Sequence, residues 1–171
     1  TCHKCGIAVI LDIVLNHTPG LHPWYAMYDA GTSPFYNKTA PHDYGVYEDI
    51  KQEYPLVEQH WVDVLTFWLT KYKVDGFRFD LVKGLGDSNS YGSGTEAYNQ
   101  GRIDRMIRLH AAMKKVNPNV IHINEHLASV QEETPMGNDG QYQWNNQNGN
   151  AINFIKSSSY ANLRYFNSKE C

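Results

Sequence analysis

The stretch "VDGFRFDLVKG", residues 74–84, sets Arg78 and Asp80 two apart inside an apolar, β-prone run. In a strand, residues i and i+2 share a face. The two charges therefore emerge side by side, while Phe77 and Phe79 point the other way. An ion pair on a buried strand costs desolvation and adds little to stability, so packing does not explain it, and the segments on either side have to.

Upstream, "GIAVILDIVLNH" (6–17) is a β-branched run of the kind found in a strand covered on both faces. Residues 18 to 52 carry Pro, Gly, Asn and Asp punctuation with no sustained period, which predicts a long loop or small subdomain. From Pro55 a helical period begins, with Val57, Trp61, Val64, Leu65, Trp68 and Tyr72 on one face. Downstream of the opening stretch, the loop "GLGDSNSYGSG" leads to a second helix from about Thr95 to Val116. Its inner face is Ile103, Met106, Ile107, His110 and Met113, and His110 there is expected to be a wall residue, not a ligand. "NPN" stops that helix, and "VIHINEHLA" (120–128) forms the next strand. Residues 129–171, rich in Asn, Gln and Ser, give no firm element, and there are no internal repeats. Strand, helix, strand, helix, strand with short links predicts an α/β fold with a parallel sheet.

Composition bounds the function. A chain of 171 residues with 42% apolar content can hold one domain with a fair core. The net charge of −3, without a dense Lys/Arg patch, gives no reason to expect a nucleic-acid partner. No apolar run is long enough to span a bilayer. "CHKC" at residues 2–5 has the CxxC spacing of redox and zinc sites, but no second ligand pair follows and the context is not thioredoxin-like, so Cys2 and Cys5 are expected to be ordinary thiols. With Cys171 the cysteine count is three, which leaves the compartment open.

The polar residues that interrupt the strands are Asp12, Asn16 and His17, then Arg78 and Asp80, then Asn124, Glu125 and His126. All but Asp12 lie at or just past the C-terminal ends of their strands, where parallel α/β folds gather their chemistry. Asp80 and Glu125 end consecutive strands, and two carboxylates flanking one bond are what glycoside hydrolysis needs, one as nucleophile and one as proton donor. Arg78 on the same face favours an ionised Asp80. Glu125, between Ile123 and Leu127 with no cation in its own strand, is the better suited of the two to carry a proton. The rival is a metal site built from Asp12, His17, Asp80 and Glu125, but no HxH, HxxxH or HExxH spacing supports it.

"DIVLNH", "GFRFDLVKG" and "INEHLA", in this order and at these distances, resemble three of the four signature segments of the alpha-amylase family, glycoside hydrolases built on a (β/α)8 barrel and acting on α-glucosidic bonds. The resemblance implies a partial TIM-type (β/α)8 barrel, roughly strands three to six. Residues 1–17 would be strand three with the end of the preceding helix, 18–52 a short domain B-like insertion, and 53–171 the barrel's continuation through strands four and five to the start of six. It also implies roles. Asp80 matches the nucleophile, Glu125 the acid/base, and Arg78 the arginine that orients the nucleophile and keeps it ionised. His17 matches a histidine that contacts the sugar, and Lys83 a lysine on the aglycone side. Asp12 matches a buried, hydrogen-bonded structural aspartate, and Asn16 a position that supports a calcium ion in many members.

There are departures. Gly84 stands where many amylases have a sugar-contacting histidine, and the loop acids Asp29, Asp43, Glu48 and Asp49 lack calcium-loop spacing. The fourth segment, with the third catalytic carboxylate, is absent, so the chain reads as an internal fragment of a longer enzyme, expected to be inactive alone. Calcium is thus the one cofactor the resemblance brings forward, and an α-glucan oligo- or polysaccharide the partner. The implied activity is that of a retaining, alpha-amylase-like hydrolase working through a covalent glycosyl-aspartate. The alternatives are an α-glucan transglycosylase of the same family or a non-catalytic carbohydrate-binding relative. An extracellular or periplasmic location accords with the resemblance. The aromatic loop residues, Trp24 and Tyr25 foremost, are either sugar platforms or the loop's own core, and Trp144 in "QYQWNNQNGN" is open in the same way.

Overall fold

The computed structural model describes residues 1–28, 31–40, 47–87 and 97–144. In chain order its elements are β1 (Ile10–Val14), β2 (His17–Thr18), α1 (Pro23–Ala26), β3 (Glu48–Asp49), α2 (Pro55–Phe67), β4 (Gly76–Asp80), α3 (Gln100–Val116), β5 (Ile121–Glu125), α4 (Val130–Asn138) and β6 (Tyr142–Trp144). Asp29, Asp43 and Tyr44 of the aromatic, acidic loop, Thr95 at the expected helix start, and Cys171 lie outside the described residues.

Four strands form one parallel sheet in the order β1-β4-β5-β6. Each strand pairs with the next in the sheet in simple β/α succession, which is the partial (β/α)8 arrangement expected from the sequence. β2 and β3 pair antiparallel beside it, His17 opposite Asp49. The register sets the rim: Val14 lies opposite Asp80, and Phe79 opposite Asn124, so the ends of β4 and β5 come level.

The sheet has two unlike faces. Phe77 and Phe79 of β4 and His122 and Asn124 of β5 are buried, with Val57, Leu65, Ile103, Met106, Leu109, Met113 and Met136 of the helices completing the core. The other face carries Asp12, Arg78, Asp80, Ile123 and Glu125. Here the expectation for β1 needs correcting. The strand has five residues and is covered on one face only, Leu11 and Ile13 packing on the core while Asp12 and Val14 are exposed.

The helix from Pro55 follows its predicted face through Val57, Trp61 and Leu65. At Trp68–Tyr72 it widens into a π-helical turn, which breaks the 3.6-residue phase. Leu69 is buried, Trp68 is partly buried against the core, and Tyr72 is exposed. Lys73, in left-handed conformation, ends the segment. The second helix begins at Gln100, with the Asn99 side chain accepting from the Arg102 backbone N–H as N-cap. Its buried face includes Arg102 and Arg105, which helical periodicity alone assigns to solvent. α4 and β6 arise within residues 129–171, where local periodicity predicts no firm element and the resemblance implies only the start of a sixth strand. At Gly76 the sheet requires glycine: a Cβ there would lie 2.0 Å from the Ile121 carbonyl oxygen of the neighbouring strand.

His3–Cys5 forms a single 3-10 turn, and Cys2 and Cys5 are free and exposed. Among the described residues no helix is long and apolar enough to cross a membrane.

Candidate active site

Arg78 is the centre of the rim. Its Nη1 donates to Asp80 Oδ1 at 2.6 Å and to Asp12 Oδ1 at 2.8 Å, and its Nη2 lies 2.9 Å from Glu125 Oε1. One guanidinium thus gathers three carboxylates from three adjacent strands. Burial works against its charge, but the hydrogen bonds to Asp12 and Asp80 and the charge of Glu125 outweigh burial and raise its pKa, so it stays a cation.

Two expectations change. Glu125, which has no cation in its own strand, takes one across the strand gap, because side chains level on neighbouring parallel strands are within reach of a long arginine. Asp12 is hydrogen-bonded as expected but not buried: its side chain is 67% exposed, since it points from the uncovered face of the edge strand.

The backbone after each of the two strands turns sharply. Leu81 (φ 48°) and Leu127 (φ 50°) are both left-handed, a conformation that costs a branched L-residue energy and collects at functional sites. At Leu81 the turn aims its N–H at Glu125 Oε2, 3.0 Å away. Asn16, almost fully buried, donates through Nδ2 to the carbonyls of Asp80 (3.1 Å) and Leu81 (3.0 Å). It therefore fixes the main chain that carries Asp80.

His17, on β2, has its ring 5.7 Å from Tyr47 beside the rim loop. Lys83 sits on the 3-10 turn Val82–Leu85 that follows β4. Trp24 is packed in an aromatic cluster, stacked on Phe35 with centroids 4.5 Å apart and tilted against His60 and Trp61, so the structure places it in the loop's own core against α2. Tyr25 meets Tyr36 edge-on and hydrogen-bonds Glu48, and burial followed by the Glu48 charge raises its phenol pKa.

For calcium, Asn16 is the residue to test. Its Oδ1 is buried without a hydrogen-bond partner among the described residues, so one oxygen is free to meet a cation. Calcium takes six to eight oxygens, and among the described residues no three His, Cys, Asp or Glu side chains converge as ligands. One free carbonyl oxygen does not make that donor set.

A second polar layer, unforeseen in the sequence, lies behind the rim. Buried Arg102 binds buried Glu132 through Nε (2.7 Å) and Nη2 (2.6 Å), and donates to the carbonyls of Lys83 (2.6 Å) and Ala97 (2.8 Å). His126, next to Glu125, reaches Glu132 at 3.0 Å and Glu133 at 3.4 Å. Burial lowers the His126 pKa, and the hydrogen bonds and charges of both glutamates outweigh it, leaving the pKa raised. Glutamates on a helix ordinarily face water, and only the tertiary fold shows that these do not. Trp144 lies over Arg78, with Cζ 4.9 Å from the ring centroid.

A parallel β/α sheet with an arginine-bridged pair of carboxylates at its C-terminal rim is the arrangement in which α/β folds, barrels and open sheets alike, gather polar chemistry. The family is identified by comparison. The model of the alpha-amylase catalytic domain matches residues 27–170, most of the chain, and the chain belongs to the alpha-amylase family. A glycogen debranching enzyme of Dickeya chrysanthemi is 36% identical over 114 residues, which cover 62% of this chain and 17% of that protein. The pullulanase of Bacillus subtilis is 38% identical over 95 residues, covering 48% of this chain and 12% of the relative. The chain thus spans less than a fifth of the length of these relatives. Among solved structures, a pullulanase complexed with maltotetraose from Anoxybacillus sp. LM18-11 superposes with a TM-score of 0.55 at 27% identity, over 72% of this chain and 16% of that one. Eubacterium rectale Amy13B reaches a TM-score of 0.65 over 99% of this chain and 41% of its own; at 20% identity that likeness is one of fold.

Proposed function

We propose that this chain carries the nucleophile and the acid/base of a retaining glycoside hydrolase that cleaves α-glucosidic bonds in starch-like α-glucans. The observation that carries the reading is the shared guanidinium: Arg78 holds Asp80 at 2.6 Å and Glu125 at 2.9 Å at the ends of adjacent strands. Asp80 Oδ attacks the anomeric carbon as the glycosidic C–O bond breaks, and Glu125 gives its proton to the leaving oxygen. Glu125, now a carboxylate, takes a proton from water as that water attacks the glycosyl-aspartate, and the sugar leaves with its α configuration. Arg78, hydrogen-bonded to Asp80 and 2.9 Å from Glu125, keeps the two carboxyl groups aimed at one centre.

The relatives named debranching enzyme and pullulanase favour a branched α-glucan with cleavage at its branch bonds, and product analysis on pullulan against unbranched maltooligosaccharides checks that choice. The mechanism is tested in the intact protein. Asp80→Asn should abolish turnover, while Glu125→Gln should spare substrates whose leaving group needs no proton. NMR of the first-formed product should show the α-anomer. A β-anomer means inversion and overturns the assignment of Asp80 as nucleophile.

A further inference from the structure

We propose that Trp144 is a positioning residue for this reaction: its indole fixes the plane of the Arg78 guanidinium so that one cation serves both carboxylates. The inference rests on the reading of Asp80 and Glu125 as the reacting pair.

The strand alternation of β6 puts Trp144 there. Gln141 and Gln143 are buried on the helix side, where both accept from Asn124, and Tyr142 and Trp144 therefore point to the opposite face, that of Arg78. Trp144 pairs in register with Glu125, at the level of the rim. From there the ring reaches across β5 to Arg78, with Cζ 4.9 Å from its centroid, within the range of a cation–π contact.

The hydrogen bonds of Arg78 leave a gap that the ring fills. Nη1 serves Asp12 and Asp80, and Nη2 pairs with Glu125. Nε is buried and has no hydrogen-bond partner among the described residues. Contacts through the two Nη atoms hold the outer edge of the guanidinium, whereas its Nε side has no hydrogen bond among the described residues to restrain it. A flat aromatic face against the group supplies that restraint, together with an electron-rich surface for the inner half of the cation. An aliphatic side chain of similar bulk fills the space without either property.

The test is made in the intact protein with W144F and W144L, on an α-glucan substrate. W144L should lower kcat about two- to fivefold, the loss of one solvent-exposed cation–π contact, with KM and Tm little changed. W144F should recover most of that rate. In 15N-edited spectra the Arg78 Nε–H resonance, assigned by its loss in R78K, should lie upfield in the wild type and move downfield in W144L. Wild-type kcat in W144L overturns the inference. So does equal loss in both variants with a lowered Tm, which would mean packing alone. A raised KM with unchanged kcat would mean a sugar platform. A wild-type protein that cleaves no α-glucan sinks the reaction reading instead, and the Nε–H shift still decides whether the indole holds Arg78. If W144L fails to fold, the W144F rate and resonance carry the decision.

Discussion

Glu132→Gln is the substitution whose outcome is most constrained by the structure. Arg102 and Glu132 are both fully buried, joined by two charge-assisted hydrogen bonds of 2.7 and 2.6 Å. Replacing such a pair by apolar groups is often tolerated, but removing one partner strands the other charge out of water and costs about 3–5 kcal/mol. Glutamine keeps the shape of Glu132 while removing its charge, and its amide can accept from Arg102 at one oxygen only. The Asn99 N–H, which donates to Glu132 Oε1 at 2.8 Å, competes for that same oxygen. The expected loss is therefore about 3–5 kcal/mol, read as a lower urea midpoint at unchanged slope. Arg102→Met should cost a similar amount, and the double variant Arg102→Met/Glu132→Leu less than the sum, because no charge is left unpaired. The carbonyls of Lys83 and Ala97 lose their donor in the double variant, so recovery is partial. A cost below about 1 kcal/mol for Glu132→Gln, the size of an exposed pair, or strict additivity in the cycle, would refute the reasoning.

The same network gives stability a pH dependence of known sign. His126 has a raised folded pKa, so its contribution is complete below the ordinary value of 6.5 and is lost as pH rises through the folded value. Glu132 has a lowered one: burial raises it, and Arg102 and His126 outweigh burial, so its contribution is present above 4.5 and is lost as pH falls through the folded value. Stability from this cluster should be greatest between those limits. Glu132→Gln should flatten the alkaline fall, since His126 then keeps only Glu133 at 3.4 Å. Urea midpoints at several pH values check this.

Three further outcomes follow from geometry. Gly76→Ala would set a methyl 2.0 Å from the Ile121 carbonyl, so β4 and β5 must part; a destabilisation of at least about 1–3 kcal/mol is expected, with kcat falling as Asp80 and Glu125 separate. Trp24→Ala should lower the unfolding free energy by about 2 kcal/mol, and should raise KM equally for short and long oligosaccharides, because the ring packs on Phe35, His60 and Trp61. Chelation by EDTA should leave the melting temperature unchanged, as Asn16 offers a single free oxygen; a clear fall reversed by calcium would show a donor set completed elsewhere.

The sheet and the catalytic rim were legible because both follow from short-range rules. β-branched runs and helical periods located three of the four parallel strands and the two long helices, and strand alternation alone put Arg78 beside Asp80. What periodicity did not locate had no local signature, although the family resemblance implied the start of a sixth strand. α4 contains Pro135 and buries two glutamates, so both its propensity and its polarity argue against a core helix. β6 alternates glutamines with aromatics, and its buried face is the polar one, the inverse of the usual pattern. Whether Glu125 has a cation depends on the register of β4 against β5, which no single strand encodes. The aromatic loop was undecidable for a similar reason: Trp24 looks the same in sequence whether it meets a sugar or His60 of α2.

Asn16 shows how a residue matched to one role can be held by another. Its amide clamps two successive carbonyls, those of Asp80 and Leu81, at the point where the chain turns left-handed. A leucine in that conformation is held only if its surroundings over-determine it. The clamp supplies one side of that restraint and the Leu81 N–H to Glu125 the other. The strained residue thus lies between the proposed nucleophile and the proposed acid, tied to β1 at one end and to β5 at the other. Releasing the clamp would let Leu81 relax toward an ordinary dihedral, swing its N–H away from Glu125 and free the end of β4. The three segments at the rim are in this way one mechanical unit: Asn16 from the first holds the main chain of the second, which in turn orients the carboxylate of the third.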